Sequence, residues 1–464
     1  PDRKVVLATA IAETSLTIEG VRVVIDAGLA RRARFDPRSG MSRLVTEPVT
    51  RAEAEQRRGR AGRVAPGICY RLWSKGEEGA LAAFPPAEIE ATDLTALALE
   101  LAVWGGADLP FLTPPPEGAL AEARELLMRL GALDGRGALT EHGRALARVP
   151  AHPRLAHMLA LGGETALPLA ALLSGRDPMP GGREGRPPVD LSLRLAALQK
   201  RGPPLDPGAL ATAREEMRRL KRFAPTPSDL GPGATLSLAY PDRMALRRSG
   251  EAPRYLLSGG KGAKLPPEDA LAGQRMLVAA DLTGEGAEPE VRLALPTTEA
   301  ELKAAHPGRV RWVADCTWSR RHRRVEARER LMLDALVLED RAWPAATAAA
   351  RAAAAMDGIR DLGLSCLGWS RAARLLQARL EWLRARGATV PDASDAHLLA
   401  TLEDWLAPFL TDIRGAEDLA ALDPLAALRT LIDWETGQEV DRLAPEKFEA
   451  PTGSRMAMRG VSVL

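Results

Sequence analysis

One octet constrains the fold of this chain more than any other feature: residues 56–63 read Gln-Arg-Arg-Gly-Arg-Ala-Gly-Arg. Thr50 and Glu53 form a capping-box pattern upstream, so we predict a short helix that starts directly after Thr50 and ends within the octet. Arg60 and Arg63 are three residues apart and can point to one side. Because guanidinium groups stay charged and bind phosphate oxygens bidentately, the octet predicts stabilisation of phosphoryl charge. The alternative is an exposed basic helix end.

The residues around the octet predict an α/β domain. Short apolar runs at 5–9, 21–26 and 67–73 favour strands, and the first of them is predicted to be buried. Residues 34–46 form two extended arms around the turn Asp-Pro-Arg-Ser-Gly at 36–40, which is typical of a β-hairpin. The octet helix is expected to follow this hairpin and to precede the last strand.

Farther along the chain the hydrophobic period changes several times. Residues 85–150 combine two helical leucine patterns with a Gly-rich turn at 134–137, which predicts a winged helix. Residues 151–250 favour a helical bundle, and residues 253–340 alternate with strand period, which predicts a small barrel. Residues 344–440 return to helical period, and their Leu and Trp stripes are predicted to form a core. The predicted fold class is therefore multidomain α/β plus α.

Composition limits the classes of partner. The formal net charge is only +2, so local arginine runs, and not the overall balance, must carry any argument for nucleic acid. Cys69, Cys316 and Cys366 are far apart and odd in number. They predict neither a disulfide framework nor a metal site, and they fit a reducing cytoplasm. Every apolar window of about 18 residues contains a charge, so no membrane partner is expected.

The octet resembles motif VI of the DEAH/RHA-type superfamily-2 helicases. Residues 8–18, Ala-Thr-Ala-Ile-Ala-Glu-Thr-Ser-Leu-Thr-Ile, resemble motif V of that family, with the predicted hairpin between the two motifs. Residues 34–41, Arg-Phe-Asp-Pro-Arg-Ser-Gly-Met, and the length of the chain are similar to the bacterial HrpB-type helicases, and the likeness runs from the first residue to about residue 453. Two positions depart from the family pattern: Ala10 stands where asparagine is usual, and Arg58 where a small residue is common.

The resemblance implies roles at a nucleotide site for five residues. Arg60 and Arg63 would be catalytic arginine fingers, which stabilise charge on the transferred phosphoryl group. Gln56 would act beside them, near the terminal phosphate. Thr17 and Glu19, in motif V, would also lie near the nucleotide.

Contacts with nucleic acid are implied as well. By resemblance, Thr9 would touch the nucleic-acid backbone, and the hairpin with Arg34 and Arg38 would act as a wedge that helps to part strands. Two basic segments outside the family motifs could follow a strand of phosphates, although a solvated charged edge is the alternative for each. The candidates in these segments are Lys261, Arg320 and Arg321.

The resemblance also implies a domain order and a missing half of the site. The predicted domains are the C-terminal part of a second RecA-like domain at 1–80, a winged helix at 81–150, a helical ratchet-like bundle at 151–250, an OB-like β-barrel at 251–340 and an HrpB-type C-terminal helical domain, predicted to be incomplete, at 341–464. The sequence contains neither a G-x-x-x-x-G-K-[ST] loop nor a D-E-x-H run. By resemblance both would lie in a preceding RecA-like domain that binds most of the ATP and its Mg²⁺. The chain is therefore expected to begin inside a domain and to contribute no metal ligand.

These observations favour the C-terminal part of an ATP-dependent helicase. RNA is favoured over DNA as its substrate on family grounds, and this chain alone is expected to be inactive. One alternative is an ATP-independent nucleic-acid-binding or scaffold protein with a degenerate helicase domain. Another is a helicase-like subunit that acts on a protein partner. A phosphate loop and a DEAH-like box upstream would support the enzyme.

Overall fold

The computed structural model describes residues 4–14, 18–36, 41–106, 109–179, 186–224, 228–283, 288–449 and 455–457. The chain divides into two compact units. Unit 1 comprises residues 1–308 with 334–336, and unit 2 comprises residues 309–333 with 337–464.

The N-terminal region of unit 1 contains the octet. Its elements are α1 (Ile11–Thr14), β1 (Val23–Asp26), β2 (Leu29–Asp36), β3 (Met41–Pro48), α2 (Arg51–Ala61) and β4 (Ile68–Arg71). β1 and β4 pair in parallel, while β2 and β3 form an antiparallel hairpin that pairs Leu29 with Pro48. The structure confirms the predicted hairpin and the strands within 21–26 and 67–73. Residues 37–40, at the hairpin tip, lie outside the described residues.

The strand predicted at 5–9 is wrong. The structure gives this segment no regular secondary structure, and Leu7 is 95% exposed. An apolar run becomes a strand only when a neighbouring strand pairs with its backbone, and no described strand pairs with these residues.

Helices and one short bridge follow. The elements are α3 (Lys75–Ala80), α4 (Glu88–Ala91), α5 (Thr95–Trp104), α6 (Glu117–Arg129) and α7 (Glu141–Ala147). Gly131 has φ 68° and ends α6, and Leu133 then bridges Leu139 around the Gly-rich turn. Leu94, Leu127 and further apolar residues of this segment form one buried cluster. These elements match the predicted ones, and the assignment as a winged helix stays a prediction.

A helical bundle and a barrel complete unit 1. The bundle comprises α8 (Pro153–Ser174), α9 (Ser192–Leu198), α10 (Pro207–Leu220), α11 (Pro232–Ala239) and a 3₁₀ turn at Lys221–Phe223. By length and composition α8 could cross a membrane, but 67% of its apolar window is buried inside the protein, as is typical of a core helix. At Gly162 a β-carbon would lie 2.7 Å from Thr235 Cγ2, so glycine lets α8 and α11 pack closely.

The barrel is closed by strands β5 (Met244–Arg247), β6 (Arg254–Leu257), β7 (Gly262–Lys264), β8 (Met276–Thr283) and β9 (Glu290–Pro296), in the order β5-β6-β7-β9-β8. Its interior is apolar and includes Tyr255, Leu277 and Val291. Helix α12 (Glu299–Ala305) follows. The barrel is shorter than the range 251–340 predicted for it, because the later strands of that range join a different sheet. Strand period reveals a strand but not the sheet to which it belongs.

Unit 2 begins with that sheet. Strands β10 (Val310–Ser319), β11 (Arg324–Leu333) and β12 (Leu336–Ala342) lie in the order β10-β11-β12. The remaining elements are α13 (Ala348–Leu362), α14 (Arg371–Arg384), α15 (Asp395–Ala400), α16 (Leu402–Trp405), α17 (Ala416–Ala421), α18 (Leu425–Arg429), α19 (Trp434–Leu443), β13 (Lys447–Glu449), β14 (Arg455–Ala457) and 3₁₀ turns at Leu364–Cys366 and Ala407–Phe409. Leu380, Leu402 and Trp405 are central to its apolar core, as predicted, whereas Trp434 is exposed.

Candidate functional site

The octet lies at the C-terminal end of α2, as predicted. Thr50 Oγ1 accepts a hydrogen bond from the Glu53 backbone N at 3.3 Å, and Glu53 Oε2 accepts one from the Thr50 backbone N at 2.7 Å. This capping box starts the helix, which ends at Ala61 with Gly62 as its C-cap. Arg60 therefore stands in the last turn, and Arg63 follows the C-cap.

Residues from both helicase-like motifs line one cavity of about 300 Å³. Its walls come from the segment around α1, from β1 and from the octet. Thr9, Arg60 and Arg63 all line it, so three predicted site residues from both motifs share one cavity. Gln56 and Glu19 are exposed and are not among its lining residues. Thr17 lies outside the described residues.

Arg57 is the residue that sequence reasoning missed. Its Nε donates to Glu13 Oε1 at 2.6 Å, and its Nη1 donates to Asp26 Oδ1 at 2.8 Å and to the Leu29 carbonyl at 3.2 Å. The spacing of Arg57 from the buried Ala54 and Ala61 is a signal that could have placed it on the buried face of α2.

The charges around Arg57 favour its ionised form. Burial lowers the pKa of Arg57, but the hydrogen bonds and negative charges of Asp26 and Glu13 outweigh burial, so its pKa is raised. The Asp26 side chain is only 1% exposed, and among the described residues its Oδ2 has no hydrogen-bond partner. Asp26 also lines the cavity, at the carboxyl end of β1, the edge at which open parallel sheets usually bind ligands.

Arg60 also contacts α1. Its Nη2 donates to the Glu13 backbone carbonyl. Glu13 is thus held twice by α2, through its side chain by Arg57 and through its main chain by Arg60. The guanidinium group of Arg60 therefore lies beside α1, in the same cavity.

The hairpin is joined to α2 by ion pairs. Arg32 on β2 binds both Glu47 on β3 and Glu53 in the capping box of α2. Arg34, a predicted nucleic-acid contact, instead donates to Glu47 at 3.0 and 3.1 Å, within the hairpin. Arg38 lies outside the described residues.

The remaining basic residues predicted to contact nucleic acid lie outside the N-terminal region. Lys261 is exposed in the loop between β6 and β7 of unit 1. Burial raises the pKa of Glu122 on α6, and the positive charge of Lys261 acts against this rise, so the predicted phosphate contact lies near an acidic side chain. In unit 2, Arg320 and Arg321 stand in the turn between β10 and β11. Both are exposed, and Arg320 pairs with Asp361 at 3.1 Å.

The donors in the cavity suit phosphate better than metal. Arg60 and Arg63 offer guanidinium groups, which bind phosphate oxygens in a planar, charge-assisted way. The two carboxylates, Glu13 and Asp26, are both paired with Arg57. Over the part of the chain that the structure describes, no cluster of His, Cys, Asp and Glu could hold a metal ion. The residues that line the cavity therefore fit a phosphate group.

Comparison with known proteins finds similarity to helicases along almost the whole chain. Residues 1–65 match the helicase conserved C-terminal domain, and residues 405–460 match the ATP-dependent helicase C-terminal family. The chain is 38% identical over 472 residues to the ATP-dependent RNA helicase HrpB of Escherichia coli (strain K12), which covers 98% of this chain and 56% of that protein. It is 41% identical over 184 residues to the mouse probable ATP-dependent RNA helicase DHX34, which covers 38% of this chain and 16% of that protein.

Solved structures agree with the sequence relatives. The crystal structure of the E. coli DExH-box NTPase HrpB superposes with a TM-score of 0.62 at 35% identity, covering 97% of this chain and 55% of that chain. A crystal structure of the E. coli DEAH/RHA helicase HrpB gives a TM-score of 0.61 at 34% identity. The chain thus spans little more than half the length of these HrpB relatives.

Proposed function

The chain carries the C-terminal helicase domains of the HrpB type, and from this premise we propose that it forms one wall of the ATP site of an RNA helicase. The observation that carries the proposal is the shared cavity of Thr9, Arg60 and Arg63, at the carboxyl end of β1. Arg60 and Arg63 act as arginine fingers there, and Gln56, Thr17 and Glu19 contribute to nucleotide binding by resemblance alone.

The chemistry explains why arginine serves this role. During phosphoryl transfer, charge spreads over the equatorial oxygens of the phosphoryl group, and positioned guanidinium groups stabilise that charge. ATP with its Mg²⁺ supplies the transferable phosphoryl group when bound. The phosphate cradle and the metal ligands come from a part of the longer protein that this sequence does not contain. This chain alone therefore does not hydrolyse ATP.

Nucleic acid is the second partner in the proposal. The relatives are named RNA helicases, so RNA is the proposed substrate, with DNA as an outcome of the test. Thr9 contacts its backbone next to the nucleotide cavity, and the hairpin with Arg34 and Arg38 helps to part strands. Lys261 in unit 1, and Arg320 and Arg321 in unit 2, are exposed side chains that each offer a further contact to phosphates.

Replacing Arg60 tests the proposal in the protein encoded by the complete reading frame. Arginine fingers contribute about 10³ to 10⁵ in rate, so Arg60→Ala should lower nucleic-acid-stimulated ATPase by a factor of that order. Arg60→Lys should rescue poorly, because an ammonium group lacks the planar fork. RNA affinity without nucleotide should change little, because Arg60 faces the phosphate site.

Steady-state ATPase with RNA and with DNA, and oligonucleotide titration, give the readouts. A complete protein that binds RNA but shows no stimulated ATPase would support the ATP-independent binding protein instead. Robust ATPase from this chain alone, or normal turnover in Arg60→Ala, would show that the site is assigned wrongly. If DNA stimulated the ATPase and RNA did not, the proposed substrate would be DNA.

A further inference from the structure

Arg57 joins three elements of the N-terminal region at one point. Its guanidinium group donates to Glu13 on α1, to Asp26 at the end of β1 and to the carbonyl of Leu29, the first residue of the hairpin. Its side chain is mostly buried among them. Asp26 Oδ1 also accepts a hydrogen bond from the Gly28 backbone N at 2.9 Å, so the connection between β1 and the hairpin is tied to the same carboxylate.

Helix α1 depends on such contacts for its position. Within the described residues it spans Ile11–Thr14, and a helical segment of this length depends on tertiary packing for its stability in water. Glu13 of this turn is bound to α2 by two hydrogen bonds, one from Arg57 to its carboxylate and one from Arg60 to its carbonyl. If α1 moved away, Arg60 would lose its hydrogen bond to the Glu13 carbonyl.

We propose that Arg57 is a positioning residue that sets the reach of Arg60, by holding Glu13 and α1 against the carboxyl end of β1. The inference rests on the proposed function of Arg60, and it adds a third arginine of the octet, which acts through its hydrogen bonds to Glu13 and Asp26. Removal of Arg57 takes away the guanidinium group that pairs with both Glu13 and Asp26 at one edge of the sheet. Their mutual repulsion displaces the short helix, since buried charges tolerate the loss of a partner poorly.

The next residue along the helix provides a matched control. Arg58 is also an arginine of α2, but its side chain is 60% exposed. Its ion pair is with Glu55, three residues earlier on the same helix, and it contacts neither α1 nor β1 through any contact described here. Replacement of Arg58 therefore removes the same charge from the same helix without releasing Glu13.

The test uses the complete protein and four variants: Arg57→Ala, Arg57→Lys, Glu13→Gln and Arg58→Ala. Arg57→Ala should lower kcat by about 10- to 100-fold, the effect of a misplacement of about 1 Å at a catalytic group, with a smaller change in KM. Arg57→Lys should recover little, because an ammonium group cannot span the same acceptors in a planar fork. The kcat of Glu13→Gln should lie between that of the parent and that of Arg57→Ala, because the Glu13 carbonyl that accepts a hydrogen bond from Arg60 remains. Arg58→Ala should stay within about 2-fold, as expected of an exposed ion pair.

Hydrogen exchange on the same proteins separates this inference from the proposed function. Peptides that contain residues 11–14 should exchange faster in Arg57→Ala than in the parent, and at the parental rate in Arg58→Ala. Circular dichroism confirms that each variant is folded. If the parent has no ATPase, the proposed function fails, and exchange of these peptides still decides whether Arg57 holds α1.

Three outcomes would overturn the inference. The first is a parental kcat in Arg57→Ala. The second is an equal loss in Arg57→Ala and Arg58→Ala, which would point to general charge on α2. The third is unchanged exchange of residues 11–14 in a folded Arg57→Ala protein, because then another contact holds the helix.

Discussion

Strands β1 and β4 of the N-terminal region and strands β8 and β9 of the barrel use similar apolar residues in opposite ways. On β1, Ile25 is 68% exposed, whereas Leu277 on β8 is fully buried. β1 has one described strand neighbour and the barrel strands have two each, around a shared interior. Apolar residues thus stabilise a sheet only where closure or a covering layer removes them from water.

In the N-terminal region, ion pairs of arginine supplement a small apolar cluster. Its small apolar cluster contains Ala30, Val49 and Ala54, while Arg32 and Arg57 join the hairpin, α1 and α2 through carboxylates. The barrel has a continuous apolar interior instead. Charge-assisted hydrogen bonds are directional, so they suit a region whose arginines must point at a fixed place.

The largest expected difference is in the response to the loss of apolar volume. In this chain, Leu277→Ala should lower the free energy of unfolding of the barrel by about 2–5 kcal/mol, because it leaves a cavity in a packed interior. Ile25→Ala should change the stability of the N-terminal region by no more than about 0.5 kcal/mol, since its side chain is already in water. Denaturant-dependent hydrogen exchange, read separately for β8 and β1, measures both. Equal effects would contradict the comparison.

A smaller effect is expected from breaking the ion pairs of the N-terminal region. Arg32→Met should destabilise the hairpin and α2 by about 1–3 kcal/mol, because Glu47 and Glu53 lose a charged hydrogen-bond donor while mostly buried. Arg34→Met is the matched control, because Arg34 is more exposed and, among the described residues, its ion pair is with Glu47 alone, and it should cost less than about 1 kcal/mol. Hydrogen exchange of residues 29–36 and 45–48 reports both. If Arg32→Met also destabilised the strands of the barrel, the stabilities of the N-terminal region and of the barrel would not be independent.

The smallest expected effect is the pH dependence of that penalty. Burial raises the pKa of Glu53, but hydrogen bonds from Arg32 and Thr50 outweigh it, and hydrogen bonds from Arg32 also lower the pKa of Glu47. Carboxylates with a lowered folded-state pKa stabilise the fold above their unfolded pKa of about 4.3, and this contribution is lost as the pH falls through the folded value. The difference between parent and Arg32→Met should therefore shrink between pH 7 and pH 3. A constant difference would mean that Arg32 acts by packing alone.

Local sequence signals predicted the elements of the site well. The hairpin, the capping box of Thr50 and Glu53 and the helix that carries the octet all depend on residues close together in the chain. The resemblance implied a nucleotide site for Arg60 and Arg63 and a nucleic-acid contact for Thr9, and it did not predict that all three line one cavity, as they do in the structure. The pairing of Arg57 with Glu13 and Asp26 was missed, because those partners are 44 and 31 residues away.

The sequence by itself determined which segments form helices and hairpins, because capping and hydrophobic period act over a few residues. Two motifs in order also indicated the resemblance to the DEAH/RHA-type helicases, and the comparisons bear that resemblance out. Tertiary structure alone decided which sheet each strand joins, and it left residues 5–9 without a strand. It also decided that Arg57 is held in the interior while Arg58 is exposed. The physical reason is that burial and ion pairing depend on distant neighbours, and a linear pattern does not specify which segments become neighbours.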